Sequence, residues 1–221
     1  GYSYGDNPDS VFTSEYTSRG VVYWHHGMFP PKMSIQKAAN LLSQVPLEHE
    51  PGERWTYGLN VDILGALVEV WSGMPLEQYI DKSVLKPLGM KDTFFDIPED
   101  KLDRFTSCHI KDDGGFAVVD KWNTSPYRDG FEFHSGGGGL TSTIQDYGRF
   151  SQMLANWGTL GGVRILKKST LEKMFKNNVP EGGGMNFGLG FSIESVTLGD
   201  HSGIAMEQYT WGGYASTVFK V

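Results

Sequence analysis

The sequence contains a single cysteine, Cys108, among its 221 residues. One thiol excludes an internal disulfide and any metal cage built from cysteines. Basic residues are also scarce, because 19 lysines and arginines stand against 26 aspartates and glutamates and leave a formal net charge of −7. This balance does not provide the positive surface that nucleic acid requires, so no nucleic-acid partner is expected.

Long apolar runs are absent as well. The longest, residues 63–71, is interrupted by Glu69 and is far shorter than the roughly 20 residues that a membrane-spanning helix needs, so no membrane span is expected. The first residues lack the charged and apolar regions of a signal peptide. The single cysteine leaves the cytosol and the bacterial periplasm both open. The hydrophobic share of 39% supports a packed core and excludes a disordered chain.

Helical spacing of apolar residues dominates the first half of the chain. Ser34 is predicted to cap a first helix, a second is predicted between Asn60 and Gly73, and a third from Pro75 to just before Pro87. The second helix is expected to bury one apolar face, made by Val61, Leu64, Leu67, Val68 and Trp71. Residues 1–30 show no sustained period and are interpreted as an ordered loop with an aromatic cluster of Tyr16, Tyr23 and Trp24.

Two capping boxes predict further helices in the second half, one at Ser142 with Gln145 and one at Ser169 with Glu172. Alternating segments predict strands, of which residues 116–119 are the clearest and about 187–197, 205–211 and 214–221 lie near the C-terminus. Helices in the middle and antiparallel strands at the end indicate an α+β fold.

Most motifs of nucleotide and metal chemistry are missing, including the Walker loop and the H-E-x-x-H zinc motif. The run from Gly136 to Gly139 is not followed by a lysine and a serine or threonine. A tight turn or close backbone packing is therefore favoured over phosphate binding. No metal or cofactor is implied.

Ser34 and Lys37 form a literal S-x-x-K, the spacing at which a lysine deprotonates a serine one helical turn away. A serine is also expected here as the cap of an ordinary amphipathic helix, and the pattern often arises by chance. The capping role is therefore favoured over the catalytic one.

Tyr57 lies in a turn just before the second predicted helix. The sequence of this turn is Pro51-Gly52-x-x-Trp55-x-Tyr57-Gly58. A phenol held there could face a cleft, although spacing alone favours a buried packing tyrosine. Further motifs follow in order: Asp62-Ile63-Leu64-Gly65, Pro87-Leu88-Gly89-Met90, Ser135-Gly136-Gly137-Gly138-Gly139-Leu140 and Trp211-Gly212-Gly213. With these motifs the sequence resembles the serine β-lactamase-related hydrolases, and among them the esterase branch close to class C β-lactamases, the family VIII carboxylesterases.

The resemblance implies a fold of the β-lactamase and penicillin-binding-protein type and a serine hydrolase that acts through an acyl-enzyme. It implies that Tyr57 is the general base or proton relay, which requires nearby positive charge because a phenol has a reference pKa near 10. Trp211, Gly212 and Gly213 match the family's strand triad. The backbone N–H of Tyr214 would be one oxyanion donor, and the N–H of the nucleophile would be the other.

The family's nucleophile lies well upstream of the tyrosine box, and Ser34 is too close to Tyr57 to match it. The sequence is therefore interpreted as an internal fragment, truncated at both ends, with a helical domain and part of the antiparallel sheet. Residues 1–135 are predicted to hold loops and helices with the tyrosine box, and residues 136–221 helices and the partial sheet, together forming one catalytic unit. Alone it is expected to be inactive, to pair with the missing N-terminal part of the same protein, and to self-associate through the exposed sheet.

The expected substrate is a small ester or amide. Leu59 and Trp211 stand where β-lactamases carry an asparagine and a lysine, and neither a hydrocarbon nor an indole can replace an amide or an ammonium. This favours neutral esters over carboxylated lactams, and Asn60 stands one place too late for the asparagine role.

Other interpretations stay open. A non-catalytic relative could keep the fold as a ligand- or peptidoglycan-binding module, and a true β-lactamase or D-Ala-D-Ala peptidase would act on amides. A carbohydrate-binding domain would instead need Trp24, Trp122 and Trp157 to be exposed and coplanar.

Overall fold

The computed structural model describes residues 1–4, 12–21, 32–112, 114–197, 205–213 and 218–221. The α-helices in these ranges are α1 (Thr13–Ser18), α2 (Ile35–Leu42), α3 (Asn60–Ser72), α4 (Leu76–Ile80), α5 (Lys86–Leu88), α6 (Ile144–Ala155) and α7 (Lys168–Met174). A π-helical turn (Asp81–Leu85) joins α4 to α5, and 3₁₀ turns cover Glu99–Arg104 and Pro126–Arg128.

The strands pair in three antiparallel groups. Two are hairpins, β1 (Cys108–Asp112) with β2 (Gly115–Asp120) and β3 (Thr159–Leu160) with β4 (Val163–Arg164). The third is a sheet in which β6 (Ala205–Gly212) lies between β5 (Ser192–Thr197) and β7 (Val218–Lys220). Helices that precede an antiparallel sheet confirm the predicted α+β fold.

The prediction of a loop over residues 1–30 is wrong at α1. Its Tyr16 is 0% exposed and packs in the hydrophobic core. A helix of six residues offers too few positions for a periodic pattern to be seen in the sequence. Tyr23 and Trp24, the other members of the predicted aromatic cluster, lie outside the described residues.

Helix α3 has the predicted ends, because Gly73 follows it with a left-handed φ of 67°. The predicted buried face is wrong at Leu64 and Trp71, which are 55% and 75% exposed. Val68 of that face is half-buried and packs against the hydrophobic core. The helix is apolar on nearly all sides, so its spacing does not choose which side is buried. The residues that it buries are Asp62, Gly65 and Ala66.

Pro87 lies inside the last helical turn, although the third helix was predicted to stop before it. The N–H of Lys86 donates to the carbonyl of Asp81, five residues back, which is the hydrogen bond of a π-turn. Proline has no N–H, and the wider turn relieves the contact of its ring with the preceding carbonyls. The helix then ends at Gly89, where φ is 67°.

The capping box predicted at Ser142 is wrong by one residue. Thr143 caps α6, because its Oγ1 accepts a hydrogen bond from the Asp146 N–H at 3.3 Å. The Ser142 hydroxyl instead lies 2.8 Å from the hydroxyl of Thr93 and ties α6 to the loop after α5. Likewise α7 begins at Lys168, so Ser169 lies inside that helix and does not cap it.

The predicted strands agree with the structure except at their ends. Residues 116–119 lie in β2, and residues 205–211 lie in β6. The segment predicted over 187–197 forms a strand only from Ser192, and Phe187 joins it through a single bridge. Of the segment predicted over 214–221, residues 214–217 lie outside the described residues.

Two hydrophobic clusters hold these elements together. The first joins the early helices to the loop before the glycine run and includes Tyr16, Ile35, Leu42, Leu59, Ala66 and Phe133. The second includes Leu85, Leu88, Met153, Leu154, Leu171 and Phe191. Because the second cluster uses residues from both sides of position 135, it ties the two predicted parts together, and the division at that position stays a prediction.

Candidate active site

Tyr57 and Trp211 lie next to each other in the folded chain. Tyr57 ends the proline- and glycine-rich turn before α3, and its side chain is 48% exposed. Trp211 is the second-last residue of β6, where its backbone pairs with that of Phe219. The two rings meet edge to face, with centroids 5.6 Å apart and planes at 64°.

Three more aromatic side chains surround this pair. The rings of Trp55 and Phe187 lie 6.1 Å and 5.1 Å from the ring of Trp211, and Tyr4 lies 5.0 Å from Tyr57. We call these five residues, Tyr4, Trp55, Tyr57, Phe187 and Trp211, the aromatic cluster. All five side chains are aromatic, and none belongs to the acidic or basic residue types.

Tyr4 and Phe187 were not predicted at this site. Trp55 is brought there by its backbone N–H, which donates to the Gly183 carbonyl at 2.9 Å. The glycine-rich loop at 182–184 thereby meets the tyrosine box, and Phe187 follows directly. A glycine run flanked by an aromatic residue was the only local signal of this contact.

Gly212 and Gly213, the residues at the end of β6 that are predicted to bind substrate, are both exposed next to the aromatic cluster. On one side the backbone of Gly212 pairs with that of Val218 in β7. Tyr214, the predicted source of one oxyanion N–H, lies outside the described residues, and its role stays a prediction.

The amide of Asn60 is occupied by the chain itself. Its Oδ1 accepts from the Tyr2 N–H at 3.1 Å, and its Nδ2 donates to the Tyr2 carbonyl at 2.9 Å. Gly58 permits this approach, because a Cβ at that position would lie 2.1 Å from the Tyr2 oxygen. Asn60 therefore holds the first residues against the tyrosine box and does not point its amide at a substrate.

Neither S-x-x-K segment of the sequence forms a serine–lysine pair in the structure. Ser34 is exposed, and its Oγ accepts from the backbone N–H of Lys37 at 3.3 Å, which confirms the predicted N-cap. A second segment with the same spacing, which was not predicted as a site, is Ser83-Val84-Leu85-Lys86. It falls in the π-turn, and the Lys86 ammonium pairs with Asp81 at 2.5 Å.

A buried carboxyl group connects α3 to the glycine run. Asp62 is 2% exposed, and its Oδ1 accepts from the Ser135 hydroxyl at 2.6 Å and from the Gly137 N–H at 3.3 Å. Its Oδ2 has no hydrogen-bond partner among the described residues. Burial is the main cause that raises the pKa of Asp62, and the bond from Ser135 opposes it.

The glycine run packs on α3 and is not a phosphate cradle. A Cβ on Gly136 would lie 2.5 Å from the Val61 carbonyl oxygen, so only glycine fits there. The N–H groups of Gly137 and Gly138 point inward to the Ser135 hydroxyl, at 3.1 Å and 3.0 Å. These donors are used within the turn, which agrees with the packing role expected from the sequence.

Tyr127 is a second tyrosine near this turn, and it is poorly suited to act as a base. Its hydroxyl donates to the Gly138 carbonyl at 3.2 Å. Burial, with a smaller effect of the Asp120 carboxylate, raises the pKa of Tyr127 to about 12. Its role is to fasten the turn before it to the glycine run.

Neither a metal centre nor a membrane-spanning helix is present in the described residues. Within the described ranges, no three histidine, cysteine, aspartate or glutamate side chains come together in a way that could hold a metal ion. None of the helices described above has the length and apolar character to cross a membrane.

Comparison with known proteins identifies the family. A family model described as Beta-lactamase matches residues 1–221. Protein Rv1367c of Mycobacterium tuberculosis (strain ATCC 25618 / H37Rv) is 38% identical over 133 residues, which are 60% of this chain and 33% of that protein. The Escherichia coli (strain K12) protein named "Putative D-alanyl-D-alanine carboxypeptidase" is 27% identical over 248 aligned positions, covering 97% of this chain and 56% of the relative.

The fold is shared with solved structures of the same type. The hydrolase EstCE1, described as having promiscuous acyltransferase activity, superposes with a TM-score of 0.71 at 24% identity, over 93% of this chain and 57% of its own. The chain has a β-lactamase and penicillin-binding-protein fold, and it belongs to the Beta-lactamase family of serine hydrolases. It spans between a third and somewhat more than half of the length of the two relatives named above.

Proposed function

We propose that this chain is part of a serine hydrolase that cleaves neutral carboxylic esters through an acyl-enzyme, with Tyr57 as general base or proton relay. The observation that carries the proposal is the meeting of Tyr57 with Trp211 at the end of β6, 5.6 Å between ring centroids. Gly212 and Gly213 extend that edge, and the backbone N–H of Tyr214 would donate to the oxyanion.

The uncharged walls of the aromatic cluster support an ester substrate. An anionic lactam would need a cation or an amide donor beside Tyr57, and Leu59 is buried while Trp211 presents an indole. Acyl or alcohol groups of apolar character would gain from burial against these rings.

The nucleophile is proposed to come from a segment outside these 221 residues. In this chain Ser34 caps α2, and Lys86 of the second S-x-x-K is paired with Asp81. The lysine that accompanies the nucleophile would then supply the positive charge that a catalytic phenol requires.

A peptidase is the second candidate. The Escherichia coli relative, whose name refers to a D-alanyl-D-alanine carboxypeptidase, aligns along 97% of this chain, which favours an amide substrate with a terminal carboxylate. The two candidates share the acyl-enzyme and differ in the group that the site must bind.

The test uses a longer version of the protein that extends upstream of Gly1. It is treated with a fluorophosphonate probe, and the labelled residue is mapped by mass spectrometry. Turnover is compared on p-nitrophenyl butyrate, a chromogenic cephalosporin and a D-Ala-D-Ala peptide. The proposal expects label on a serine upstream of Gly1 and the highest kcat/KM on the ester. Label on Ser34 or Ser83, or preference for the peptide, would overturn it, and absence of any label would favour a non-catalytic module.

A further inference from the structure

A groove of about 800 Å³ lies beside the hairpin of β1 and β2. Its walls include Leu102 and Phe105 from one side, Ser107 just before β1, and Trp122 and Arg128 from the segment after β2. No member of the aromatic cluster lines it, so it is distinct from the surface beside Tyr57.

Arg128 has an incomplete set of interactions. Its guanidinium carbon lies 5.5 Å from the centre of the Trp122 ring, which fixes the side chain against one face of the indole. Its Nη1 is buried and has no hydrogen-bond partner among the described residues. A buried charged N–H without an acceptor is unfavourable, so an acceptor brought to Arg128 by a ligand in the groove would lower the free energy of this group.

Acidic side chains line the grooves that Arg128 borders. Asp103 lines the same groove, while Asp129 and Glu132 line a second groove of about 500 Å³ that Arg128 also borders. Within the described part of the chain, none of these carboxylates forms an ion pair with the guanidinium. They do reduce the local positive potential, as does the formal net charge of −7. Both effects favour a ligand with one negative charge over a dianion.

The remaining groups of the groove suit an aromatic acid. The hydroxyl of Ser107 accepts from the backbone N–H of Trp122 at 3.0 Å, so its own hydrogen can donate to a ligand. Trp122 is 49% exposed, and together with Phe105 and Leu102 it offers an apolar wall next to the guanidinium. The planar fork of an arginine matches the two oxygens of a carboxylate.

We propose that this groove binds a small molecule that carries a carboxylate close to an aromatic ring. The carboxylate lies on Arg128, and the ring lies against Trp122 and Phe105. The site is separate from the proposed esterase site, and its test needs no nucleophile and no catalytic turnover.

The experiment titrates the 221-residue chain with 3-phenylpropionate and follows the indole N–H signal of Trp122 by two-dimensional NMR. The signal is assigned from its loss in Trp122→Phe. Two further probes are 3-phenylpropionamide, which keeps the ring and removes the charge, and phenyl phosphate, which replaces the carboxylate by a dianion. We expect the Trp122 indole signal to shift saturably with 3-phenylpropionate. 3-Phenylpropionamide should bind at least about tenfold more weakly, which corresponds to the loss of one charge-assisted contact.

Variants separate the guanidinium fork from general charge. Arg128→Met should weaken binding of 3-phenylpropionate at least about tenfold, and Arg128→Lys should weaken it less, because the charge stays and the fork is lost. Arg54→Met removes an exposed arginine outside the groove and should bind like the unmodified chain. If Arg128→Met fails to fold, judged by circular dichroism, Arg128→Lys and Phe105→Leu carry the test, because both keep the Trp122 signal and both should weaken binding.

Several results would overturn the proposal. One is the absence of a saturable shift, which would mean that water alone satisfies Nη1. Another is equal affinity for 3-phenylpropionate and its amide, and a third is unchanged affinity in the folded Arg128 variants. Tighter binding of phenyl phosphate than of 3-phenylpropionate would contradict the assignment to a carboxylate.

Discussion

Tyr57 and Trp211 meet edge to face although one precedes the helix α3 and the other ends the strand β6. The contact is one of those that join the helical part of the chain to the antiparallel sheet, beside the second hydrophobic cluster. Trp55 stacks near Tyr57, with ring centroids 5.9 Å apart, and Phe187 contacts both Trp55 and Trp211. The position of the phenol is therefore set by packing between distant segments.

The buried carboxyl of Asp62 predicts how stability depends on pH. Because burial raises its pKa, the folded protein keeps this proton to a higher pH than the unfolded chain does. The unfolding free energy therefore contains a contribution that is fully present below the unfolded pKa of about 3.9 and is lost as the pH rises through the folded pKa. Asp62→Asn removes this titration and keeps an acceptor for Ser135, so its stability should change less with pH above about 4.

Urea denaturation at a series of pH values from 4 to 8 measures this slope. Asp62→Ala should cost about 1–3 kcal/mol, because it leaves the Ser135 hydroxyl and the Gly137 N–H without their acceptor. The matched control is Asp100→Asn, at an exposed position, which should leave the slope as it is. An unchanged slope in Asp62→Asn would show that Asp62 titrates alike in the folded and unfolded chains.

Two glycines should respond in opposite ways to the same substitution. Gly136→Ala would place a Cβ 2.5 Å from the Val61 carbonyl and should cost about 1–3 kcal/mol of unfolding free energy. Gly148 lies in α6 with nothing within 4 Å of a Cβ, so Gly148→Ala should stabilise the protein by about 1 kcal/mol. Thermal unfolding of both variants checks the pair, and similar effects in the two would contradict close packing of the glycine run on α3.

Ser34→Ala tests the assignment of Ser34 as a helix cap. Loss of the bond from the Lys37 N–H should reduce stability by about 1 kcal/mol. Fluorophosphonate labelling of the longer protein should not change, because Ser34 is not the proposed nucleophile. Loss of labelling in a folded Ser34→Ala variant would assign catalysis to this serine.

The exposed side of α3 predicts self-association of the 221-residue chain. Val61, Leu64 and Trp71 leave an apolar surface on one helix, and such surfaces drive association in water. Light scattering over a concentration series should show an apparent mass that rises, and Leu64→Gln with Trp71→Gln should reduce the rise. Ile144→Gln removes a single exposed side chain from α6 and serves as the control. A monomer at all concentrations would refute this prediction.

The sequence predicted local features better than contacts between distant segments. Ser34 and Gly73 mark helix ends in the sequence because capping depends on neighbouring residues. The buried side of α3 could not be predicted in the same way, since it depends on how closely Gly65 lets Gly136 approach from a distant loop. Phe187 was missed at the candidate site for a related reason, because only the folded chain brings it beside Trp211.

Mutation of Tyr57 to phenylalanine is the most direct test of the proposed function. It removes the hydroxyl and keeps the ring that packs on Trp211. The measurement is kcat for p-nitrophenyl butyrate in the longer protein, beside its thermal midpoint. We expect kcat to fall by roughly 10²–10⁴, the usual contribution of general acid–base catalysis, with an unfolding midpoint close to that of the unmodified protein. If a folded Tyr57→Phe variant kept kcat within about twofold of the unmodified protein, Tyr57 would not be the general base or proton relay, because the fall would be far smaller than general acid–base catalysis contributes.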